Sequence, residues 1–195
     1  MNKPVAMAIG LFVLAALAFP NPAKAAFVFT VEEIGSDVVV SGTGTINLSD
    51  LVQFVSGNSE AIYIIPSQGI IGGGQDGNLA TAYLTVFGPA SFGSGSTKVF
   101  ADLAAGDFLA IDGPNHIITL NSDYDSESFL SNSATYQNQS FASLGLDLGT
   151  YVYTWGTGEN ADSLTVNVTT VPEPATTALL VLGGCAVLFR SRRRS

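Results

Sequence analysis

Residues 37–49, "DVVVSGTGTINLS", alternate with period 2. Val38, Val40, Ile46 and Leu48 share one parity with Gly42 and Gly44 between them, while Val39, Ser41, Thr43, Thr45 and Asn47 take the other. Successive side chains of a strand point to opposite faces, so this spacing predicts a half-buried strand, bent where glycine replaces a side chain. The same period runs through 27–33, 61–65, 81–87, 97–101, 108–111, 116–120, 151–155 and 164–168, and no segment from 26 to 170 keeps the 3, 4 spacing of an amphipathic helix. Between these runs lie "SQGIIGGGQDGN", "GPASFGSGS", "DGPN" and "GTGEN", rich in residues that fix turns or tolerate positive φ. Many short strands punctuated by turns predict an all-β fold, an antiparallel β-sandwich or jelly roll. A parallel β-helix would need a fixed repeat period, and none is present.

The two ends have a different composition. Lys3 precedes an apolar run at 5–19, and Ala23 and Ala25 place small residues where a signal peptidase reads. This pattern predicts a secretory signal peptide over 1–25, cut after Ala25, with signal peptidase and the export machinery as partners. Residues 26–170 then form one domain. Of seven Lys and Arg only Lys98 falls in it, against fifteen of the sixteen Asp and Glu, for a net charge of −14. Such a field repels phosphate backbones and excludes nucleic acid as a partner. The single cysteine, Cys185, lies in the C-terminal apolar run, so the domain has no disulfide framework and must be held by burial and backbone pairing.

Catalytic chemistry finds few candidates. His116 is the only histidine, which excludes a multi-histidine zinc site, and no Gly-x-Ser-x-Gly elbow accompanies it. It follows "DGPN" and opens an apolar run, the place of a loop or strand-edge histidine. "GGGQDGN" at 72–78 lacks the Lys-Ser/Thr ending of a phosphate-binding loop. No cofactor is expected: in "DYDSE", Asp123, Asp125 and Glu127 alternate and could face Ca²⁺, but three like charges at that spacing are usually a solvated face, and the EF-hand positions for glycine and glutamate hold Ser128 and Ala134. "TYVYTW" puts Tyr151, Tyr153 and Trp155 on one strand face. Exposed, that row could stack on sugar rings; buried, it is core, and the smaller opposite-parity Val152 and Thr154 favour core.

The chain closes with "VPEPATTALLVLGGCAVLFRSRRRS", residues 171–195. Pro172 and Pro174 hold Val171 and Glu173 out of the helical region. Residues 175–189 carry no charge and, at 1.5 Å per residue, span about 22 Å as a single transmembrane helix, short of a hydrocarbon core of about 30 Å unless arginines snorkel. Arg190, Arg192, Arg193 and Arg194 would keep the C-terminus cytoplasmic.

This order, Pro172-Glu173-Pro174, then an apolar helix, then an arginine cluster, resembles the PEP-CTERM sorting signal of exported proteins of Gram-negative bacteria. The resemblance covers 171–195. It implies recognition by an exosortase, transient anchoring in the inner membrane, removal of the tail, and delivery to the cell surface or extracellular matrix alongside exopolysaccharide and biofilm. Residues 141–168, with a Gly-x-Tyr turn into a Trp-bearing strand, are similar to the segment that precedes the signal in one group of such cargo. The expected function is therefore a non-enzymatic surface or matrix protein. The alternatives are a secreted carbohydrate-binding or Ca²⁺-dependent adhesion module, through Tyr151, Tyr153 and Trp155 or the Asp123 loop, and a secreted hydrolase built on His116 or a carboxylate pair.

Overall fold

A computed structural model describes residues 26–75 and 79–171. The expected signal peptide with Ala23 and Ala25, the Pro172-Glu173-Pro174 motif, the apolar helix with Cys185, and Arg190, Arg192, Arg193 and Arg194 lie outside the described residues. Among those described, no helix is long and apolar enough to cross a membrane.

The chain is all-β. One sheet has six strands in the order β12 (Gly149–Trp155), β13 (Asp162–Val168), β1 (Phe27–Ile34), β2 (Asp37–Gly44), β11 (Leu130–Tyr136) and β8 (Leu103–Gly106). A second has five, in the order β3 (Val52–Asn58), β6 (Leu79–Leu84), β10 (Ile117–Asn121), β9 (Leu109–Asp112) and β5 (Ile70–Gly73). A short ladder, β4 (Tyr63–Ile64) with β7 (Val99–Phe100), flanks the second sheet at β5.

Alternation decides which side chains go inside. Phe27, Phe29 and Val31 of β1, Val38 and Val40 of β2, Leu164, Val166 and Val168 of β13, and Tyr153 and Trp155 of β12 face the same core as Ile71, Leu109, Ile111, Ile118 and Leu120 of the five-stranded sheet. Both sheets thus close on one apolar cluster. Burying a side chain of this kind contributes about 1.5–3 kcal/mol, and no disulfide shares the task.

The structure corrects several expectations. The ladder is not wholly antiparallel: β1 and β13 run parallel, Phe27 opposite Leu164 through Val31 opposite Val168. The first and last strands can be parallel neighbours because the whole domain forms the crossover that such a pair requires. The strand expected over 37–49 ends at Gly44, whose φ of 141° is open chiefly to glycine. Ile46 stays on the buried side, but Asn47, assigned to the polar face, is also buried, because its backbone is clamped on both sides by the side chains described below. Four strands, β3, β5, β8 and β11, arise where no alternation predicted them, and Ile70–Gly73, read as part of a turn, is a strand. A single helical turn, α1 (Phe141–Leu144), follows Ser140, whose hydroxyl accepts from the Ser143 N–H while the Ser143 hydroxyl accepts from the Ser140 N–H.

Candidate functional site

The outer face of the five-stranded sheet is built of small residues. One register row crosses all five strands as Val55, Ala82, Thr119, Ala110 and Gly72. With no long side chain along most of that row, the face is a trough, and a groove of about 330 Å³ lies on it, at the lower end of the size range of ligand pockets, about 300–1,000 Å³. Residues 59–63 lead from the end of β3 to β4 beside β5 and form one wall, with Ile62 over β5. A Cβ at Gly72 would stand 3.1 Å from Ile62 Cδ1 and 3.0 Å from Ala110 Cβ, so that wall rests directly on the glycine. At the β3 end the bulge between Gln53 and Val55 presents Phe54, 62% exposed, to the groove.

Tyr63 is the second aromatic of the lining, and it is held from two directions. Its ring packs edge-on against Phe100 at 5.8 Å, and the Lys98 ammonium sits 3.7 Å from its centroid. Lys98 also pairs with Glu60 at 3.7 Å, an exposed pair of small energetic worth that nonetheless fixes the rim. The sole Lys or Arg of 26–171 therefore stands at the mouth of this groove. Polar groups are sparse inside it: Thr119 on the floor, Asn58 and Ser59 on the wall, and Asp112, whose carboxylate accepts from the Asn115 backbone and side chain at 3.2 and 2.9 Å. The arrangement offers a flat apolar floor, two aromatic rings and a few hydrogen-bonding groups.

The residues singled out from the sequence are placed elsewhere. Tyr153 and Trp155 are core, 0% and 3% exposed, so the row of three rings is not a stacking platform; only Tyr151 reaches the surface, half-buried with its hydroxyl donating to the Asp147 carbonyl. The physical reason is the pleat: Val152 and Thr154 take the solvent side of β12. The Trp155 indole donates to the Asn47 carbonyl at 2.8 Å, and Asp162 accepts the Asn47 N–H at 2.7 Å. Burial pushes the Tyr153 phenol well above its ordinary range, and the Asp112 carboxylate and Tyr151 add to the rise; burial alone does the same to Tyr136.

Asp123, Asp125 and Glu127 lie in the exposed loop between β10 and β11, and among the described residues no three His, Cys, Asp or Glu side chains gather into a metal-holding group. The loop instead packs on residues 46–48. Tyr124 Oη accepts from the Ile46 N–H at 2.9 Å, Ser126 Oγ accepts from the Leu48 N–H at 2.9 Å, and Glu127 Oε1 accepts from the Asn47 amide at 3.0 Å. His116 occupies the β9–β10 turn at φ 60°, its Nδ1 3.1 Å from the Val86 carbonyl oxygen and its ring against Phe87.

The groove itself was not expected from the sequence. Its only signal there is the run of Ala and Gly in otherwise apolar segments, "LATAYL" and "IIGG". No family model matches this chain, that of the sorting signal included, and neither a curated protein nor a solved structure matches it.

Proposed function

We propose that residues 26–170 are a β-sandwich cargo domain, exported under the signal peptide, and that 171–195 is its address: a sorting signal anchored by a transmembrane helix, recognised by an exosortase and removed on delivery to the cell surface or matrix. The three-part order of Pro172-Glu173-Pro174, apolar run and Arg190–Arg194 cluster carries the reading. The fold is compatible with it at both ends. β1 begins two residues after Ala25 with a fully buried Phe27. Among the described residues, the last backbone tie after β13 is from the Thr169 N–H to the Val31 carbonyl, and Thr170 and Val171 are exposed. A processing enzyme would thus meet an accessible strand end. Intact-mass analysis and cell fractionation test this. The wild-type chain is expected as a shortened form lacking both ends, and Pro172→Ala with Pro174→Ala as a membrane-bound form retaining its tail; release of the same shortened product from both would sink the reading.

A second reading is favoured by the groove on the five-stranded sheet: retention in the matrix by a neutral polysaccharide. Sugar C–H faces suit a floor of Ala and Gly between Phe54 and Tyr63, while a net charge of −14 disfavours an anionic chain. Ala82→Leu, which fills the floor from a half-buried position, should abolish retention on neutral polysaccharide without lowering the melting temperature. Unaltered retention would remove the groove from consideration.

A further inference from the structure

The two sheets have four edges, and among the described residues other parts of the chain meet three of them. β12 is bridged by Phe87, which exchanges both backbone hydrogen bonds with Thr154. β5 is bridged at Ile70 by Ile65 and is otherwise buried. β8 is short, lies between Asp102 and Asp107, and gives its Gly106 carbonyl to the Gln75 N–H. The fourth edge, β3, is seven residues long, and every residue of it is exposed.

β3 also lacks most of the devices that keep edges apart. Its sequence, "VQFVSGN", has no charge and no proline, and only the bulge at Phe54 interrupts it. Val52, Phe54 and Val55 are exposed along it, and Leu79 of β6, opposite Asn58, extends the apolar strip. This happens in a domain with fifteen carboxylates, where two copies repel wherever acidic surfaces meet. Neutrality at β3, with no bridge across it among the described residues, therefore marks a strand edge at which like copies can approach.

We infer that β3 is a self-association edge, at which two copies pair antiparallel about a twofold axis and join their five-stranded sheets into one of ten strands. The occupant must bring an extended, uncharged strand that can satisfy a row of backbone N–H and C=O groups, and β3 of a second copy has those properties. A twofold arrangement needs only one such strand, because the same patch serves both partners.

Sedimentation velocity and hydrogen exchange on the purified full chain in nonionic detergent test the pairing. A concentration-dependent dimer is expected, with its dissociation constant falling at least tenfold as salt rises from about 0.01 M to about 1 M and the Debye length contracts from about 30 Å to about 3 Å. The β3 amides should gain protection in the dimer. Val52→Lys with Phe54→Lys alters only exposed side chains and should leave a folded monomer, while Phe129→Lys, at a side chain 70% exposed elsewhere, should leave the dimer intact. A chain monomeric at every salt concentration, or a dimer that survives the double lysine variant, overturns the inference. So does protection of β3 that appears only when neutral polysaccharide is added.

Discussion

Trp155 holds together parts of the chain that are 108 positions apart: its ring fills the core and its indole N–H satisfies the carbonyl of Asn47, while Asp162 satisfies the N–H of the same residue. Truncating it removes both apolar area and a buried partner. Trp155→Ala should therefore cost roughly 3–5 kcal/mol, read as a lowered urea midpoint, a large share of the 5–15 kcal/mol typical of a domain. Tyr136 and Tyr153 give an alkaline signature. Their folded pKa values lie above that of the unfolded chain, about 10, so the stability they contribute is complete below that pH and is lost as pH rises toward the folded values. Urea midpoints should be level between pH 8 and pH 9 and fall beyond about pH 10. Phenolate absorbance should show two of the six tyrosines ionising only with unfolding. The Tyr153 hydroxyl is buried with no hydrogen-bond partner among the described residues, so Tyr153→Phe should leave neutral-pH stability unchanged or higher and weaken the alkaline loss.

At the scale of elements, legibility followed side-chain contrast. β1, β2, β12 and β13 alternate large apolar with polar residues, and their inward faces could be read directly, down to the burial of Tyr153 and Trp155. β11, "LSNSATY", has its apolar face thinned, because between the inward Leu130 and Tyr136 lie Asn132 and Ala134. β5, "IIGG", resembles a turn because its glycines exist for close approach. A Cβ at Gly73 would lie 2.5 Å from Asn132 Oδ1, and one at Gly42 would meet the same oxygen and the Phe27 ring. Two glycines from different sheets thus make room for one amide, a tertiary fact with no local trace. Gly73→Ala should cost about 1–3 kcal/mol by overpacking, measured by thermal unfolding, and Asn132→Ser should restore part of the loss by withdrawing the clashing atoms. The groove was illegible for a related reason. Val55, Ala82, Thr119, Ala110 and Gly72 become neighbours only through cross-strand register, and Ala and Gly carry almost no strand signal of their own. The "DYDSE" loop shows the same limit, since its bonds from Tyr124, Ser126 and Glu127 to residues 46–48 have no local trace in the sequence.

For the whole molecule, the parallel pairing of the first and last strands has a mechanical consequence. β1 enters at Phe27 opposite Leu164, and β13 leaves at Val168 opposite Val31, so the chain departs from opposite ends of the same ladder. Tension applied between the two ends loads the β1–β13 bonds lengthwise and all together. Tension across the Gly149 and Val168 end of the β12–β13 pair would instead open that ladder one bond at a time. In single-molecule pulling, extension from residues 26 and 171 should rupture at a distinctly higher force than extension from residues 149 and 168, and equal forces would count against a shear-loaded pair. A protein tethered through its C-terminal end and tugged at the other would resist through its first and last strands, with the full length of that ladder sharing the load.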